Sequence, residues 1–157
     1  MRDAKLILDA GCGDLRFSKI VANNTNSLVI SIDIDESIIR KGLESQRVEN
    51  IIPIVCDIRK LPLRSNAFDG IIVINLLHHL PDLDSLLKAL YEFRRVYKRN
   101  ARILIKENVS NNPFRLLPEK LYNHMPAMPR EVVIDDKCCT QKFTTEFLIN
   151  AVTKCGF

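Results

Sequence analysis

Three aspartates follow three short apolar runs at equal intervals. Asp9 closes Leu6-Ile7-Leu8, Asp33 closes Leu28-Val29-Ile30-Ser31-Ile32, and Asp57 closes Ile51-Ile52-Pro53-Ile54-Val55-Cys56, with 24 residues from each acid to the next. That interval is one strand–helix unit, so in a parallel sheet it sets the three carboxylates on one rim, the default ligand location of such folds. Capping or loop solvation explains any one acid; the set points to a site. Around the first acid the chain reads Leu8-Asp9-Ala10-Gly11-Cys12-Gly13-Asp14. Gly11 and Gly13 permit a tight turn and close backbone approach of a ligand at a helix start. A dinucleotide fingerprint would want a further glycine where Arg16 stands, and Asp9 and Asp14 would repel a pyrophosphate. A cationic ligand suits those acids. The adjacent pair His78-His79 follows a fourth apolar run, Ile71–Ile74, and adds two groups able to exchange protons near neutral pH. The five cysteines show no Cys-x-x-Cys spacing, and no metal site is encoded.

The elements that must position these residues can be read from periodicity. The four runs above and Ile103-Leu104-Ile105 are continuous and rich in β-branched residues, as in strands covered on both faces. Between them, Leu83, Leu86, Leu87, Leu90, Phe93 and Tyr97 form a helical stripe that opens at Pro81-Asp82 and is expected to close near Lys98-Arg99-Asn100, with Asn100 as its left-handed stop. Helices are also expected over Leu15–Ala22 and Glu36–Ser45, the second capped by Asp35, and from Thr144 to Cys155. Lys60–Asn66 is too interrupted for a helix. The alternation predicts a doubly wound α/β architecture with a mainly parallel sheet. From Asn108 to Lys142 the periodicity fails, with prolines at 113, 118, 126 and 129. An irregular stretch of that length inside a compact domain is usually functional.

Composition sets the outer bounds. The 157 residues, 46% hydrophobic and 27% charged, predict a single domain spanning 1–157 and exclude disordered or fibrous classes. A net charge of +4 tolerates a polyanionic partner without demanding one. No apolar run approaches the roughly 18 residues of a membrane span, so a soluble, cytoplasmic protein is expected.

Four stretches in order resemble the class I S-adenosylmethionine-dependent methyltransferases, in particular the type 11, ubiquinone-biosynthesis-like group. They are Leu8-Asp9-Ala10-Gly11-Cys12-Gly13, Ile30-Ser31-Ile32-Asp33-Ile34, Cys56-Asp57-Ile58, and the run from Leu61 to Leu80 containing Asn75-Leu76-Leu77-His78-His79. The resemblance covers Leu6 to Glu107 and implies a Rossmann-like sheet of strand order 3-2-1-4-5. It implies S-adenosyl-L-methionine as cofactor and S-adenosyl-L-homocysteine as product. Gly11, Cys12 and Gly13 would face the methionine part, with Asp9 near its ammonium. Asp33 would accept the ribose hydroxyls and Asp57 the adenine amino group, while Ile34 and Ile58 sandwich the ring and Asn75 and Leu76 line the sulfur. Two departures stand out: the family's third glycine falls at Leu15, and its Pro-Gly-Gly before the fifth strand is replaced by Lys98-Arg99-Asn100-Ala101.

The same resemblance makes 108–142 a substrate lid, whose Phe114, Leu116, Leu117, Leu121, Tyr122, Met125 and Met128 suit a small or lipid-like acceptor. Arg94, Arg95, Lys98 and Arg99, with Arg115, Lys120 and Arg130, keep an RNA acceptor as the alternative, and Leu15 keeps a non-catalytic partner subunit as another. His78 and His79 are the candidates for a catalytic base; packing around the cofactor is the competing role. The resembled fold adds a final β-hairpin after Gly156-Phe157 that is missing from this sequence. The edge of the fifth strand is therefore expected to be covered by the insertion, a homodimer partner or another chain, or else the sequence is a fragment of a longer protein.

Overall fold

The computed structural model describes residues 4–45, 48–107 and 145–157. Five parallel strands, β1 (Leu6–Ala10), β2 (Leu28–Asp33), β3 (Ile51–Val55), β4 (Phe68–Ile74) and β5 (Tyr97–Lys106), form one sheet in the order β3-β2-β1-β4-β5. The helices are α1 (Arg16–Asn24), α2 (Glu36–Ser45), α3 (Leu83–Val96) and α4 (Thr145–Lys154), and a single 3-10 turn covers Leu77–His79. The strand order reverses between β1 and β4, which is where a ligand crevice opens in this architecture.

Strand alternation sorts the core into two faces. Leu8, Ala10, Ile30, Ile32, Ile71 and Val73 pack with Leu86, Leu90 and Phe93 of α3, with Ala151 of α4 and with Cys155 just after it. The intervening Asp9 and Ser31 point to the other face, where Ser18 of α1 meets both. Central β1 and β4 are buried along nearly their whole length, as continuous apolar runs require. Asp82 caps α3 by accepting from the Ser85 amide at 2.7 Å, and Asp35 caps α2 through the Ser37 amide at 2.8 Å.

Two boundaries differ from expectation. The α3 stripe stops at Val96, and the chain enters β5 directly at Tyr97, so Lys98-Arg99-Asn100 belongs to a strand rather than to a helix end. Pairing wins over helical propensity here. Phe68 pairs with Tyr97 and Gly70 with Arg102, the shift between them absorbing the intervening residues, and Asp69 holds Lys98 at 2.6 Å. Among the described residues the left-handed non-glycine positions are Leu15, Asn66 and Asn75, not Asn100. Leu15, expected inside α1, precedes it instead. Residues 108–142, the expected lid, lie outside the described residues.

Candidate active site

The turn after β1 is shaped by backbone. Gly11 (φ 72°), Gly13 (φ 51°) and Leu15 (φ 63°) all adopt the left-handed region, and the amides of Gly11 and Cys12 both donate to the Ile32 carbonyl, at 2.8 and 2.9 Å. Glycine takes such angles freely, whereas leucine is strained by roughly 1–2 kcal/mol. Leu15 offsets this by burial: it is 1% exposed and packs with Cys12 and Ile39 on the α2 side of the turn. Gly42 of α2 makes room, because a Cβ there would lie 2.3 Å from the Asp14 carbonyl oxygen. Lys19 then ties α1 to α2, its Nζ donating to the Gly42 carbonyl at 2.6 Å and to Ser45 Oγ at 2.7 Å.

Asp33 stands beside this turn. Its Oδ2 accepts from the Gly13 amide at 2.8 Å and its Oδ1 from the Asp35 amide at 3.0 Å. Each oxygen keeps a further lone pair, so the carboxylate is oriented and still able to accept two hydroxyls. Asp9 is placed differently. It is 2% exposed and lies beneath α1, accepting from Ser18 Oγ at 2.5 Å, with Ser31 Oγ donating to Ser18 in turn. Burial pushes its carboxyl up to about 6; the Ser18 bond opposes this and the charge of Asp33 adds to it. Burial, with Asp9 and Asp33 nearby, also raises the Cys12 thiol far above its usual range, so that this sulfur is inert.

At the end of β3, Asp57 is gripped by Arg59, whose backbone amide reaches Oδ1 at 2.8 Å and whose Nε and Nη2 reach Oδ2 at 2.9 and 2.6 Å. The guanidinium holds the carboxyl below its usual range. Ile34 is 68% exposed on the rim, while Ile58 is 7% exposed and joins the main core. These two flank the rim from opposite degrees of burial.

Across the switch point, Asn75 leaves β4 in a left-handed turn (φ 50°), its amide donating to the Lys106 carbonyl at 2.8 Å. The Leu76 side chain lies against Gly11 so closely that a Cβ on that glycine would sit 2.6 Å from Leu76 Cδ1. Here the two sides of the crevice meet. His78 and His79 pack with ring centroids 4.1 Å apart and planes tilted by 39°. Burial lowers the pKa of His79, and so does the neighbouring His78, against the charges of Glu107 and Asp33.

Glu107 was missed by the sequence reading. Its side chain is fully buried and accepts from the amides of Leu76 and Leu77, both at 2.7 Å on Oε1, while Oε2 lies 2.6 Å from His78 Nδ1. The signal that singled out the three aspartates, an acid just beyond an apolar strand, applies equally to Glu107 after Ile103–Ile105. The structure thus brings Gly11, Gly13 and Asp33 together after β1 and β2 and sets Asn75, Leu76, His78 and His79 after β4, with Leu76 against Gly11. The side chain of Asp9 is closed off under α1, and that of Asp57 is paired.

The chain shows the same pattern when set beside known proteins. The family model described as "Methyltransferase domain" matches residues 8–105. An uncharacterized protein of Methanocaldococcus jannaschii is 30% identical over 132 residues, covering 83% of this chain and 52% of that protein. The ubiquinone/menaquinone biosynthesis C-methyltransferase UbiE of Burkholderia mallei is 33% identical over 111 residues, covering 68% of this chain and 44% of the enzyme. The chain therefore spans about half the length of these curated relatives. Among solved structures, phosphoethanolamine N-methyltransferase 2 of Haemonchus contortus, bound to phosphomonomethylethanolamine and S-adenosylhomocysteine, aligns with a TM-score of 0.79 at 19% identity, over 100% of this chain and 34% of that one. With more than half its length under the family model and the strand order of the family's sheet, the chain belongs to the class I S-adenosylmethionine-dependent methyltransferase domains.

Proposed function

We propose that this domain binds S-adenosylmethionine in the crevice between β1, β2 and β4 and transfers its methyl group to a small or lipid-like acceptor. The observation that carries the reading is Asp33: two backbone amides orient its carboxylate, and a lone pair on each oxygen is left for vicinal ribose hydroxyls. The cradle fits as well. Gly11 makes room for Leu76, whereas beside Gly13 the nearest atom to where a Cβ would stand is Ile38 Cδ1 at 3.8 Å, so the backbone there is open to a ligand's methionine part. When bound, the sulfonium supplies a methyl group already activated for in-line displacement. The chain's residues have only to hold, align and keep water out.

Within that reading Asp33 sets the position of the ribose, Ile34 covers one face of the adenine, and Leu76 walls the reacting end. Asp9 acts through α1 by anchoring Ser18 beneath the turn. Asp57 reaches the adenine amino group only if it shares its carboxylate with Arg59.

The basic residues favour a small acceptor over RNA. Arg95 donates to the Leu61 and Leu63 carbonyls and pairs with Glu92, Arg94 donates to the Gly156 carbonyl, and Lys98 pairs with Asp69. Of the seven cations suggested for a polyanion, Arg94, Arg95 and Lys98 are thus committed within the fold, and Arg115, Lys120 and Arg130 lie outside the described residues. Parallel titration with S-adenosylhomocysteine and NAD, followed by an acceptor screen with a labelled methyl donor, tests the proposal. Binding of the former alone and label transfer to a small acceptor are expected; silence toward S-adenosylhomocysteine would overturn it.

A further inference from the structure

Glu107 is a buried carboxylate with three protein partners and no place in the family motifs read from the sequence. Its Oε1 takes both amides of the turn after β4, and Oε2 faces His78 Nδ1. A buried carboxylate must have its lone pairs met by donors, and here the donors come from residues 29 to 31 positions away. Such an arrangement constrains more than the loop. An ionised carboxylate can only accept, so the ring nitrogen it faces must carry the hydrogen. In neutral imidazole the lone pair then sits on Nε2.

We infer that Glu107 is the positioning residue of this site: it fixes the turn that carries Leu76 against Gly11 and selects the Nδ1–H tautomer of His78, leaving Nε2 as the acceptor. This rests on the methyltransferase reading for its purpose, though not for its geometry. For an acceptor bearing an O–H, the O–H bond breaks with its electron pair remaining on oxygen, and the proton passes to Nε2. The resulting imidazolium is stabilised by Glu107 through a charge-assisted Nδ1–H bond. The oxygen's electron pair then forms the bond to the methyl carbon, and the carbon–sulfur pair leaves on sulfur. A carboxylate that orients a histidine base in this way also restrains its ring, which is 18% exposed.

Replacing Glu107 by glutamine gives a distinctive result. The two backbone donors retain the amide oxygen, which turns the amide NH2 group toward Nδ1 and forces His78 into the Nε2–H form. Long-range proton–nitrogen correlation spectra of the protein labelled at histidine read this directly, at a pH where the rings are neutral. His78 is assigned by loss of its signals in His78→Gln. We expect Nδ1–H in the wild type, Nε2–H in Glu107→Gln, and S-adenosylhomocysteine affinity held within about threefold because both turn amides keep their acceptor. Methyl transfer to an acceptor found in the screen should fall about 100-fold or more in kcat with little change in KM. An Nε2–H ring in the wild type overturns the inference even if the variant fails to fold, and so does an unchanged tautomer in the variant. Failure of the wild type to bind S-adenosylhomocysteine overturns instead the methyltransferase reading, leaving the tautomer result to stand by itself.

Discussion

The turn after β1 and the turn after β4 face each other across the crevice, with Leu76 touching Gly11, yet they are held by different means. The first is a backbone construction: three left-handed residues at alternate positions and two amides on one carbonyl. Its side-chain support comes from Asp33, which remains on the open rim. The second is held from within by Glu107, whose side chain is wholly enclosed. A backbone device leaves its mark in residue type, because glycine is demanded where φ is positive. A buried brace leaves little, because an acid at a strand end looks the same whether it faces solvent or locks a loop.

Breaking the internal brace should therefore cost the most. Glu107→Ala strips two buried amides of their acceptor at about 1–3 kcal/mol each, so a loss of roughly 2–6 kcal/mol is expected in denaturant titrations. The acid of the first turn, Asp14, is half-buried and paired with exposed Arg16, and Asp14→Ala should stay within about 0.5 kcal/mol.

Next comes pH. Asp9 has a carboxyl pKa of about 6 in the fold against 3.8 as its ordinary value. A raised value means that the folded state binds the proton more tightly, so the stability from this group is complete below the ordinary value and lost as pH rises to about 6. The wild type should forfeit up to about 3 kcal/mol through this window, whereas Asp9→Asn should not, gaining relative stability from pH 4 to pH 7. Since Asp9 is closed under α1, S-adenosylhomocysteine affinity should change little in that variant.

Gly42→Ala drives a Cβ to 2.3 Å from the Asp14 carbonyl oxygen, and overpacking of this kind costs about 1–3 kcal/mol. It should also weaken S-adenosylhomocysteine binding by displacing the first turn, a loss readable by calorimetry. A smaller effect belongs to Leu15→Gly. Relief of roughly 1–2 kcal/mol of left-handed strain is set against about 2–3 kcal/mol of lost burial, leaving a net loss near 1 kcal/mol in thermal unfolding. A gain in stability would mean that the leucine is merely tolerated.

The strands were legible because central parallel strands are apolar on both faces, their order only through the resemblance of four stretches to a known family, and the α2 boundaries, Glu36–Ser45, coincide with the expected ones because Asp35 caps them. The passage from α3 into β5 was not legible. Lys98 to Ala101 carries no apolar alternation, and only pairing with the Phe68–Gly70 segment draws it into the sheet. In the site, Gly11, Gly13 and Asp33 could be read from local spacing. What could not be read was which acids face outward: Asp9 is turned under α1 by strand alternation, Asp57 is claimed by an arginine two residues on, and Glu107 takes its role from contacts about 30 residues away.

The central claim is that the oriented carboxylate of Asp33 receives the cofactor's ribose. Calorimetric titration of S-adenosylhomocysteine into the wild type and Asp33→Ala tests it most directly. The account predicts one site per chain in the wild type and at least a roughly 30-fold weaker one in the variant, on the scale of about 2 kcal/mol for charge-assisted hydrogen bonds. Equal affinity in the two proteins, or no heat from the wild type, would contradict it.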